Sequence, residues 1–377
     1  MLLIVILHRA HTLQVTPMRP LRLVLAAFLS ILLNLSALNT VVGAESAQSA
    51  TPLIQHMSRI LTGNGSQWRT ANPDFVEGSE MPEEFGLRMR LDPARSHVTG
   101  ELSGIFAGDQ EVIYWSMLAF YNPVTEKMIL QQIAADGTLL RGEVPVQSGK
   151  RQITDLTMFA ADGTMQHTRH QMHFIDANTH DADAMSLGSG GQWQLDRRWR
   201  WHRVATPNFQ PAKPDSSGSS AIANSRLAPY VRNLVAGSGQ WRADNPDYTP
   251  GTDSPIEFGM NYRWGPHKQH IVAEIISIYD DERIEKDWSL YITHNPVLQT
   301  TTMEQTGGNG VYFRGELDLP EGNAQVENGL VFLPNGMIRS VRDRHIYIDE
   351  RTRNAQVFER DAQGNWEIMR EWVWRRL

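Results

Sequence analysis

The sequence predicts an all-β protein built from two tandem up-and-down antiparallel β-barrels of about ten strands each, each preceded by a short helix. Three observations indicate this fold: an internal repeat, an alternation of apolar and polar residues at a period of two, and regularly spaced turn residues. A long series of hairpin-connected strands most simply closes on itself, because closure removes the two unpaired edges of the sheet.

The internal repeat defines two copies of one domain. The stretch LTGNGSQWRTANPDFVEGSEMPEEFG at 61–86 returns as LVAGSGQWRADNPDYTPGTDSPIEFG at 234–259. Trp68 and Trp241 are 173 positions apart, and the same offset joins Arg203 to Arg376. The copies therefore align without a gap over most of their length.

The first 44 residues resemble a secretory leader. They contain three arginines and no acidic residue, an apolar run, and small residues at the end. This pattern predicts a signal peptide cleaved after Ala44, with Met18 as an alternative start, and a periplasmic or secreted protein. An uncleaved membrane anchor is the rival interpretation, because the apolar run is just long enough to span a bilayer.

The rest of the chain divides into barrel 1 at 52–204, a linker at 205–224 and barrel 2 at 225–377. The linker is rich in Pro, Ser, Gly and Ala and lacks apolar periodicity, which is typical of a flexible segment. Short helices are expected at 52–61 and 225–234. In the first copy, alternation and turn residues predict strands near 66–70, 84–91, 97–106, 111–121, 126–134, 138–146, 152–160, 165–176, 182–187 and 192–204.

Charge and cysteine content exclude several classes of function. The net charge is −7, and removal of the leader with its three arginines makes it −10. An acidic exported chain is a poor candidate for binding nucleic acid or, once the leader is cleaved, a membrane. The absence of cysteine rules out disulfides, thiolate metal sites and cysteine nucleophiles.

The start of each copy and the end of each copy resemble the calycin barrels, which include the lipocalins, the fatty-acid-binding proteins and the nitrobindin-like haem barrels. The carriers of this resemblance are the motif Leu-x-Gly-x-x-x-x-Trp ending at Trp68 and the Arg/Trp-rich last strand. The resemblance implies that a tryptophan of the first strand packs beside an arginine of the last and closes one end of the barrel. The matching pairs are Trp68 with Arg203 and Trp241 with Arg376.

The resemblance does not extend to a haem site. In the haem barrels the motif usually continues with Gly-x-Gly, whereas Arg69-Thr70-Ala71-Asn72 follows Trp68 here. We therefore expect neither haem nor another cofactor.

The last strand indicates which of its faces points inward. Every second residue from Arg197 to Arg203 recurs between Arg370 and Arg376, whereas the intervening residues differ. Successive side chains of a strand point to opposite faces, so residues that are shared at every second position lie on one face, and that face is the constrained one. We expect Trp199, Trp201, Trp372 and Trp374 to lie inside, either as packed core or as pocket walls.

Further ionic residues recur at a single parity on other strands. If these residues face inward, each barrel contains a net of Arg, Glu and His that suits an anionic group. The alternatives are internal ion pairs with water and outward cross-strand pairs. The candidate ligand-binding residues are Arg90, His97, Glu101, Trp115, Arg141, Glu143, Arg169, Trp199 and Trp201 in the first copy, and Arg263, His270, Glu274, Trp288, Arg314, Glu316, Arg342, Trp372 and Trp374 in the second.

No metal site is predicted. The first copy has a His-rich stretch, His167, His170 and His173, with His180 just beyond, and the second copy has Ser340, Asp343, Ile346 and Arg353 at those positions. His167 and His170 have opposite parity on a strand and would point to opposite faces. Motifs that would name a catalytic mechanism, such as Gly-x-Ser-x-Gly or His-Glu-x-x-His, are absent from the sequence.

The function most consistent with this pattern is binding or sequestering a small organic ligand, anionic or lipidic, in one or both barrel interiors. An enzyme of the hydratase or isomerase type that uses interior His, Glu and Arg is the first alternative. A scaffold whose barrels are filled with side chains is the second. The sequence names neither the ligand nor the oligomeric state.

Overall fold

The computed structural model describes residues 51–205 and 224–377. Within these residues the chain forms two closed barrels, each of ten antiparallel strands and each preceded by a short helix. This result confirms the predicted fold class. The expected leader, its alternative start at Met18 and nearly all of the expected linker lie outside the described residues.

Helix α1 (Pro52–Met57) precedes barrel 1, and helix α2 (Ala228–Val235) precedes barrel 2. The strands of barrel 1 are β1 (Gly65–Ala71), β2 (Glu84–Leu91), β3 (His97–Phe106), β4 (Gln110–Asn122), β5 (Lys127–Ala134), β6 (Leu139–Pro145), β7 (Arg151–Phe159), β8 (Met165–Phe174), β9 (Thr179–Leu187) and β10 (Trp193–Arg203). The strands of barrel 2 are β11 (Gln240–Asp244), β12 (Glu257–Trp264), β13 (Ile271–Ile278), β14 (Ile284–Asn295), β15 (Thr300–Gly307), β16 (Tyr312–Leu317), β17 (Ala324–Phe332), β18 (Ile338–Tyr347), β19 (Thr352–Arg360) and β20 (Trp366–Arg376). A short 3-10 turn (Pro266–Lys268) separates β12 from β13.

Local turn chemistry specifies which strands pair with each other. Each strand pairs with the next along the chain, and the first strand of each barrel pairs with the last. Between β5 and β6 the Asp136 carboxylate accepts a hydrogen bond from the main-chain N–H of Thr138 at 2.8 Å, and Gly137 adopts a φ of +89°. Such a φ strongly favours glycine, and an Asp side chain that bonds two residues ahead stabilises a tight turn.

The strand registers identify the inner face of each barrel. Trp68 is fully buried and pairs in register with Leu87 of β2. Leu87 pairs with Leu102 of β3, and Leu102 pairs with Trp115 of β4. Trp241 begins the same series in barrel 2. Because side chains alternate along a strand, every second residue counted from these positions points into the barrel until a β-bulge intervenes.

A tryptophan and an arginine close one end of barrel 1 over helix α1. The indole Nε1 of Trp68 donates to the main-chain carbonyl oxygen of Ile60 at 3.2 Å. The Arg203 guanidinium lies 4.2 Å from the centre of the Trp68 ring and donates to the carbonyl oxygens of Arg59 and Ile60 at 3.0 and 3.2 Å. These bonds satisfy carbonyls that follow the helix and would otherwise lack partners.

Barrel 2 repeats this closure. Trp241 donates to the carbonyl oxygen of Leu234 at 3.0 Å, and Arg376 lies 4.6 Å from the Trp241 ring centre. Arg376 also donates to the carbonyl oxygen of Asn233 at 2.8 Å. The shared first-strand tryptophan and last-strand arginine therefore attach each barrel to its own helix.

The two barrels pack against each other through the outer faces of β4, β5 and β6 and their counterparts β14, β15 and β16. Gln131 donates a hydrogen bond to Glu304, the residue at its own counterpart position. A face that meets its counterpart is isologous, as in a two-fold dimer, so we call this the pseudo-two-fold interface. Its apolar cluster consists of Leu118, Phe120, Ile129, Ile133 and Leu139 from barrel 1 and Tyr291 and Tyr312 from barrel 2.

Candidate functional site

The strand registers place most of the predicted ionic residues on the outer faces of the barrels. Glu101 pairs in register with Arg88, and Glu274 forms an outer-face ion pair with Lys286 at 3.2 Å. The expectation of an inward ionic net is corrected accordingly, because these positions have the parity opposite to the Trp68 and Trp241 series. The outer-face residues are Arg90, His97, Glu101, Arg141, Glu143 and Arg169 in barrel 1, and Arg263, Glu274, Arg314, Glu316 and Arg342 in barrel 2.

Arg141 and His97 lie in the pseudo-two-fold interface. The Nη1 atom of Arg141 is 2.8 Å from Oε1 of Glu304, which also accepts a hydrogen bond from the Tyr312 hydroxyl at 2.6 Å. The Nε2 atom of His97 lies 2.6 Å from the Tyr291 hydroxyl, and burial lowers the pKa of His97 to about 4. The imidazole is therefore neutral at physiological pH and acts as a hydrogen-bonding group between the barrels.

Other members of the outer-face set form cross-strand pairs. Arg169 makes two hydrogen bonds to Asp155, at 2.6 and 2.8 Å, and lies 4.3 Å from the centre of the Trp193 ring. Arg342 donates to the Asn328 side chain at 2.8 Å. Such pairs are a common use of shared charged positions on a sheet. Further members are exposed at the surface, namely Arg90, Glu143, Arg263, Arg314 and Glu316.

His270 is buried in the β12–β13 connection. Its ring lies over Gly265, where an added Cβ would come within 2.2 Å of Nε2. Burial lowers the pKa of His270 to about 4, which leaves the ring neutral. The position therefore fits a packing role for the glycine–histidine contact in this connection.

The tryptophans of the predicted set lie on the inner faces, and they differ in exposure between the two barrels. Trp115 and Trp199 keep part of their surface accessible, whereas their counterparts Trp288 and Trp372 are buried. The inner-face members are Trp115, Trp199 and Trp201 in barrel 1 and Trp288, Trp372 and Trp374 in barrel 2.

The apolar inner face of barrel 1, called the chamber below, is more accessible than that of barrel 2. Met117 and Leu130 point into it and are partly accessible, whereas Leu290 and Met303 at the same positions of barrel 2 are buried. The cause is visible in the sequence, because barrel 1 has the smaller side chain at several inner positions. These pairs are Leu91 against Trp264, Leu140 against Phe313, Thr154 against Glu327, and His180 against Arg353.

Apart from the ion pair of Arg197 with Asp74 at the rim and Arg203 at the closed end, the inner-face polar groups of barrel 1 are uncharged. Thr154 and His170 face each other across β7 and β8, and burial lowers the pKa of His170. The hydroxyl of Thr168 and the indole Nε1 of Trp199 are buried without a hydrogen-bond partner among the described residues. The chamber therefore offers a few neutral polar contacts within an apolar wall.

The interior of barrel 2 contains a fully buried arginine. Arg353 on β19 has no exposed surface, and its guanidinium carbon lies 4.6 Å from the ring centre of Trp241 and 5.9 Å from that of Trp374. Burial opposes its charge, but electrostatic interaction with Tyr262 and Tyr347 raises the pKa, so Arg353 stays protonated. Its Nη2 is 3.2 Å from the Met260 sulfur, while Nε and Nη1 have no partner in the described part of the chain.

A pair of opposed carboxyl groups shares this interior. Glu327 on β17 pairs in register with Asp343 on β18. Burial and the neighbouring Asp343 raise the pKa of Glu327 well above its usual range, and burial raises that of Asp343 to about 7, against the lowering effect of Arg353. Burial also holds the pKa of His345 well below normal, and its Nδ1 lacks a partner among the described residues. Two such carboxyls retain a proton because adjacent charges are costly in a low-dielectric interior.

The Asn-Pro-Asp loops lie at the barrel ends opposite the helices. Asp74 forms an ion pair with Arg197 on the inner parity of β10, and Asp247 forms the equivalent pair with Arg370 on β20. The Asn72 side chain accepts a hydrogen bond from the main-chain N–H of Asp74 at 3.1 Å, as turn chemistry requires. Each loop is thereby fastened to the rim of its barrel.

The interior residues missed by sequence reasoning are those that differ between the copies. Glu327, Asp343, His345 and Arg353 occupy positions held by Thr154, His170, Met172 and His180 in barrel 1. Because these residues differ between the copies, the internal repeat does not mark them. What distinguishes them is that residues pointing into the barrel are neutral in barrel 1 and ionisable in barrel 2. This difference is recognisable once the strand register shows which residues point inward.

Neither a membrane-spanning helix nor a metal cluster occurs in the described segments. No helix of residues 51–205 and 224–377 is long and apolar enough to cross a bilayer. The same residues contain no group of three or more His, Cys, Asp or Glu side chains placed to hold a metal ion.

Comparison with known proteins gives distant likenesses to solved structures. No family model matches the chain, and no curated protein matches it. The chain is similar to a protein of unknown function from the DUF3598 family of Nostoc punctiforme, with 10% identity and a TM-score of 0.19 over 86% of this chain and 99% of that chain. It is also similar to a point mutant of the vaccine antigen Transferrin Binding Protein B from Haemophilus parasuis, at 7% identity and a TM-score of 0.17, covering 84% and 76%. Likenesses this distant carry no conclusion about function.

Proposed function

We propose that this chain is an exported protein that holds a small, largely apolar organic molecule in the interior of barrel 1. The observation that carries the proposal is the difference between equivalent inner positions of the two barrels. Trp115, Met117 and Leu130 are partly accessible, although their counterparts are buried. Apolar side chains that face an enclosed space without being covered are typical of a ligand chamber.

The uncharged lining indicates the character of the ligand. Thr168, His170 and Trp199 supply a hydroxyl, a neutral imidazole and an indole N–H without adding a charge. Such a lining suits a neutral molecule with one carbonyl or hydroxyl group, because a buried polar group needs a partner while the walls stay apolar. The calycin resemblance of the sequence fits a barrel that binds small apolar molecules.

The alternatives receive less support from the structure. An enzyme built on His97 and Glu101 draws none, because both residues lie on outer faces. A scaffold with filled barrels fits barrel 2 better than barrel 1, since Trp288 and Trp372 are buried there.

The binding proposal is tested first by native mass spectrometry of the purified protein, which should show a co-purified small molecule or a neutral apolar probe bound one to one. The probe N-phenylnaphthylamine gains fluorescence in an apolar chamber. Met117→Trp should fill the chamber and weaken probe binding at least about tenfold. The matched control His167→Trp adds an indole on the exposed outer face and should bind as wild type does. Equal binding by all three proteins would place the probe elsewhere and remove the basis of the proposal.

Export is a separate part of the proposal. The leader pattern predicts that the secreted or periplasmic protein begins at or near Glu45. Intact-mass measurement of the exported species decides this point. A mature species that retains residues 18–44 would instead indicate a membrane-anchored protein.

A further inference from the structure

The interior of barrel 2 differs from that of barrel 1 by a coordinated set of ionic and hydroxyl residues. On the inner face, Tyr347 pairs in register with Arg353, which pairs with Trp374 of β20. Four residues along β18 from Tyr347, about 13 Å away by strand rise, Asp343 pairs with Glu327 of β17. The arginine and the carboxyl pair are thus grouped on adjacent strands of one inner surface.

The arginine lacks a counter-ion in direct contact. Among the described residues, no carboxylate forms a salt bridge with Arg353. The hydroxyls of Tyr262 and Tyr347 interact with its guanidinium, but its Nε and Nη1 are buried without a hydrogen-bond partner. The indole Nε1 atoms of Trp372 and Trp374, both buried on the neighbouring strand, are also without acceptors there. These four buried nitrogen atoms on neighbouring strands suit an acceptor-rich group, because a buried donor without a partner is costly.

The carboxyl pair is built into the barrel wall with space made for it. An added Cβ at Gly315 would come within 2.6 Å of Oε1 of Glu327, so the glycine makes room for the carboxyl group. This oxygen has no hydrogen-bond partner among residues 51–205 and 224–377. Asp343 and His345 keep part of their surface accessible although they point inward, so the interior is not completely filled at this level.

We propose that Arg353 and the carboxyl pair Glu327–Asp343 form a binding site for a small organic carboxylate in barrel 2, and that the ligand enters together with one proton taken up by the carboxyl pair. With one proton shared by the pair, the remaining carboxylate balances the charge of Arg353. An anion on Arg353 adds a negative charge to this enclosed interior. Proton uptake from solvent by the remaining carboxylate restores the balance.

The groups that surround Asp343 support this charge balance. Glu327 faces it from β17, and Arg353 acts on it from β19. The remaining inner-face groups near this level are His345 and Tyr347 on β18, Tyr262 on β12, Arg370 on β20 with its partner Asp247, and the ion pair of Arg339 with Glu359. The two ion pairs are internally balanced, and His345 is neutral because burial lowers its pKa. Arg353, Glu327 and Asp343 thus set the charge of the site.

Isothermal titration of the full chain with sodium benzoate tests this proposal, because benzoate pairs a carboxylate with a ring that suits the aromatic walls. The pKa of Asp343 is about 7. At about pH 8 only about a tenth of the molecules hold the proton needed for binding, so affinity should be about tenfold weaker than at about pH 6. Titrations in cationic buffers of different ionisation enthalpy should show uptake of nearly one proton per benzoate at the higher pH.

Three variants complete the test. Arg353→His installs the residue of barrel 1 and should abolish detectable benzoate binding. Asp343→Asn keeps the shape of the side chain, cannot ionise, and should remove most of the pH dependence. The control Arg342→Gln changes an outer-face arginine on the same strand as Asp343 and should bind benzoate as wild type does.

Several results would overturn the proposal: no benzoate binding by folded wild-type protein, binding that is independent of pH, or binding that survives Arg353→His. If Arg353→His does not fold, Asp343→Asn and the proton count still decide the question. The proposal also stands apart from the ligand proposed for barrel 1. N-phenylnaphthylamine binding should be unchanged in Asp343→Asn, so failure of one site is visible without failure of the other.

Discussion

Replacing Arg141 with alanine tests how strongly the two barrels depend on each other. The Glu304 side chain is 1% exposed and the Arg141 side chain 15%, and their closest atoms are 2.8 Å apart. Glu304 also accepts hydrogen bonds from Tyr312 and Gln131. The variant removes the cation and leaves the carboxylate buried between the barrels with two neutral donors.

The loss of stability expected for Arg141→Ala follows from these contacts. Removing one partner of a buried ion pair costs about 3–5 kcal/mol when the remaining charge is uncompensated. The two remaining hydrogen bonds hold the Glu304 carboxylate in place, which puts Arg141→Ala near the lower end, at about 3 kcal/mol. Glu304→Ala should destabilise by a similar amount. The double variant should cost less than the sum by about 1–3 kcal/mol, because both changes remove the same contact.

Urea denaturation of the full chain, followed by tryptophan fluorescence, measures these values. Arg314→Ala is the matched control, because Arg314 occupies the same position in barrel 2 and is exposed. It should change the free energy of unfolding by no more than about 0.5 kcal/mol. If Arg141→Ala changes the free energy of unfolding as little as Arg314→Ala does, the reasoning is refuted, because the buried Glu304 carboxylate would then not depend on the Arg141 cation.

Three other perturbations have defined outcomes. Burial raises the pKa of Asp343 from its ordinary value of 3.8 to about 7 in the folded protein. The folded protein therefore binds more protons than the unfolded chain in this range, and the free energy of unfolding should fall from about pH 4 to about pH 7 and then level off. Asp343→Asn should flatten that profile in urea titrations, and an unchanged profile would assign the fall to other groups. Gly315→Ala should destabilise by about 1–3 kcal/mol in thermal melts, because the new methyl group meets the Glu327 carboxyl at 2.6 Å; an unaltered melt would show that this carboxyl relocates freely. Trp201→Ala should lower the free energy of unfolding by about 3–5 kcal/mol, because Trp201 is 6% exposed. Trp199→Ala should lower it less and should weaken probe binding in barrel 1. The reverse order would contradict the assignment of Trp199 to the chamber.

The fold could be predicted from the sequence because its determinants are local. Alternation at a period of two fixes the strands, and turns such as Asp136-Gly137 fix the hairpins. The offset between Trp68 and Trp241 then extends each assignment from one copy to the other. Closure needs no further information, because ten successive hairpin-linked strands leave two edges that can pair with each other.

The candidate site could not be predicted in the same way because parity alone does not tell the inside of a barrel from the outside. The outer faces of β4 to β6 are as apolar as an interior, since Leu118 and Phe120 are covered by the other barrel. A bulge between Leu102 and Ser103 also shifts the parity within β3 and β4. Shared charged residues such as Arg141 therefore marked the interface and the outer cross-strand pairs.

Several inner-face residues differ together between the two barrels, which argues that the buried charge of Arg353 in barrel 2 is retained for a function. Arg353 is flanked by the hydroxyl of Tyr347, whereas its counterpart His180 lies 5.2 Å from the ring of Phe174 and 4.5 Å from that of Trp68. Burial lowers the pKa of His180 to about 4, so barrel 1 holds a neutral ring where barrel 2 holds a cation. A buried cation acquired by drift would destabilise the barrel unless its neighbours changed with it. Because hydroxyl and carboxyl groups accompany the arginine in barrel 2, and apolar groups accompany the histidine in barrel 1, each interior is internally consistent. The duplication has therefore produced one scaffold with two chemically distinct interiors.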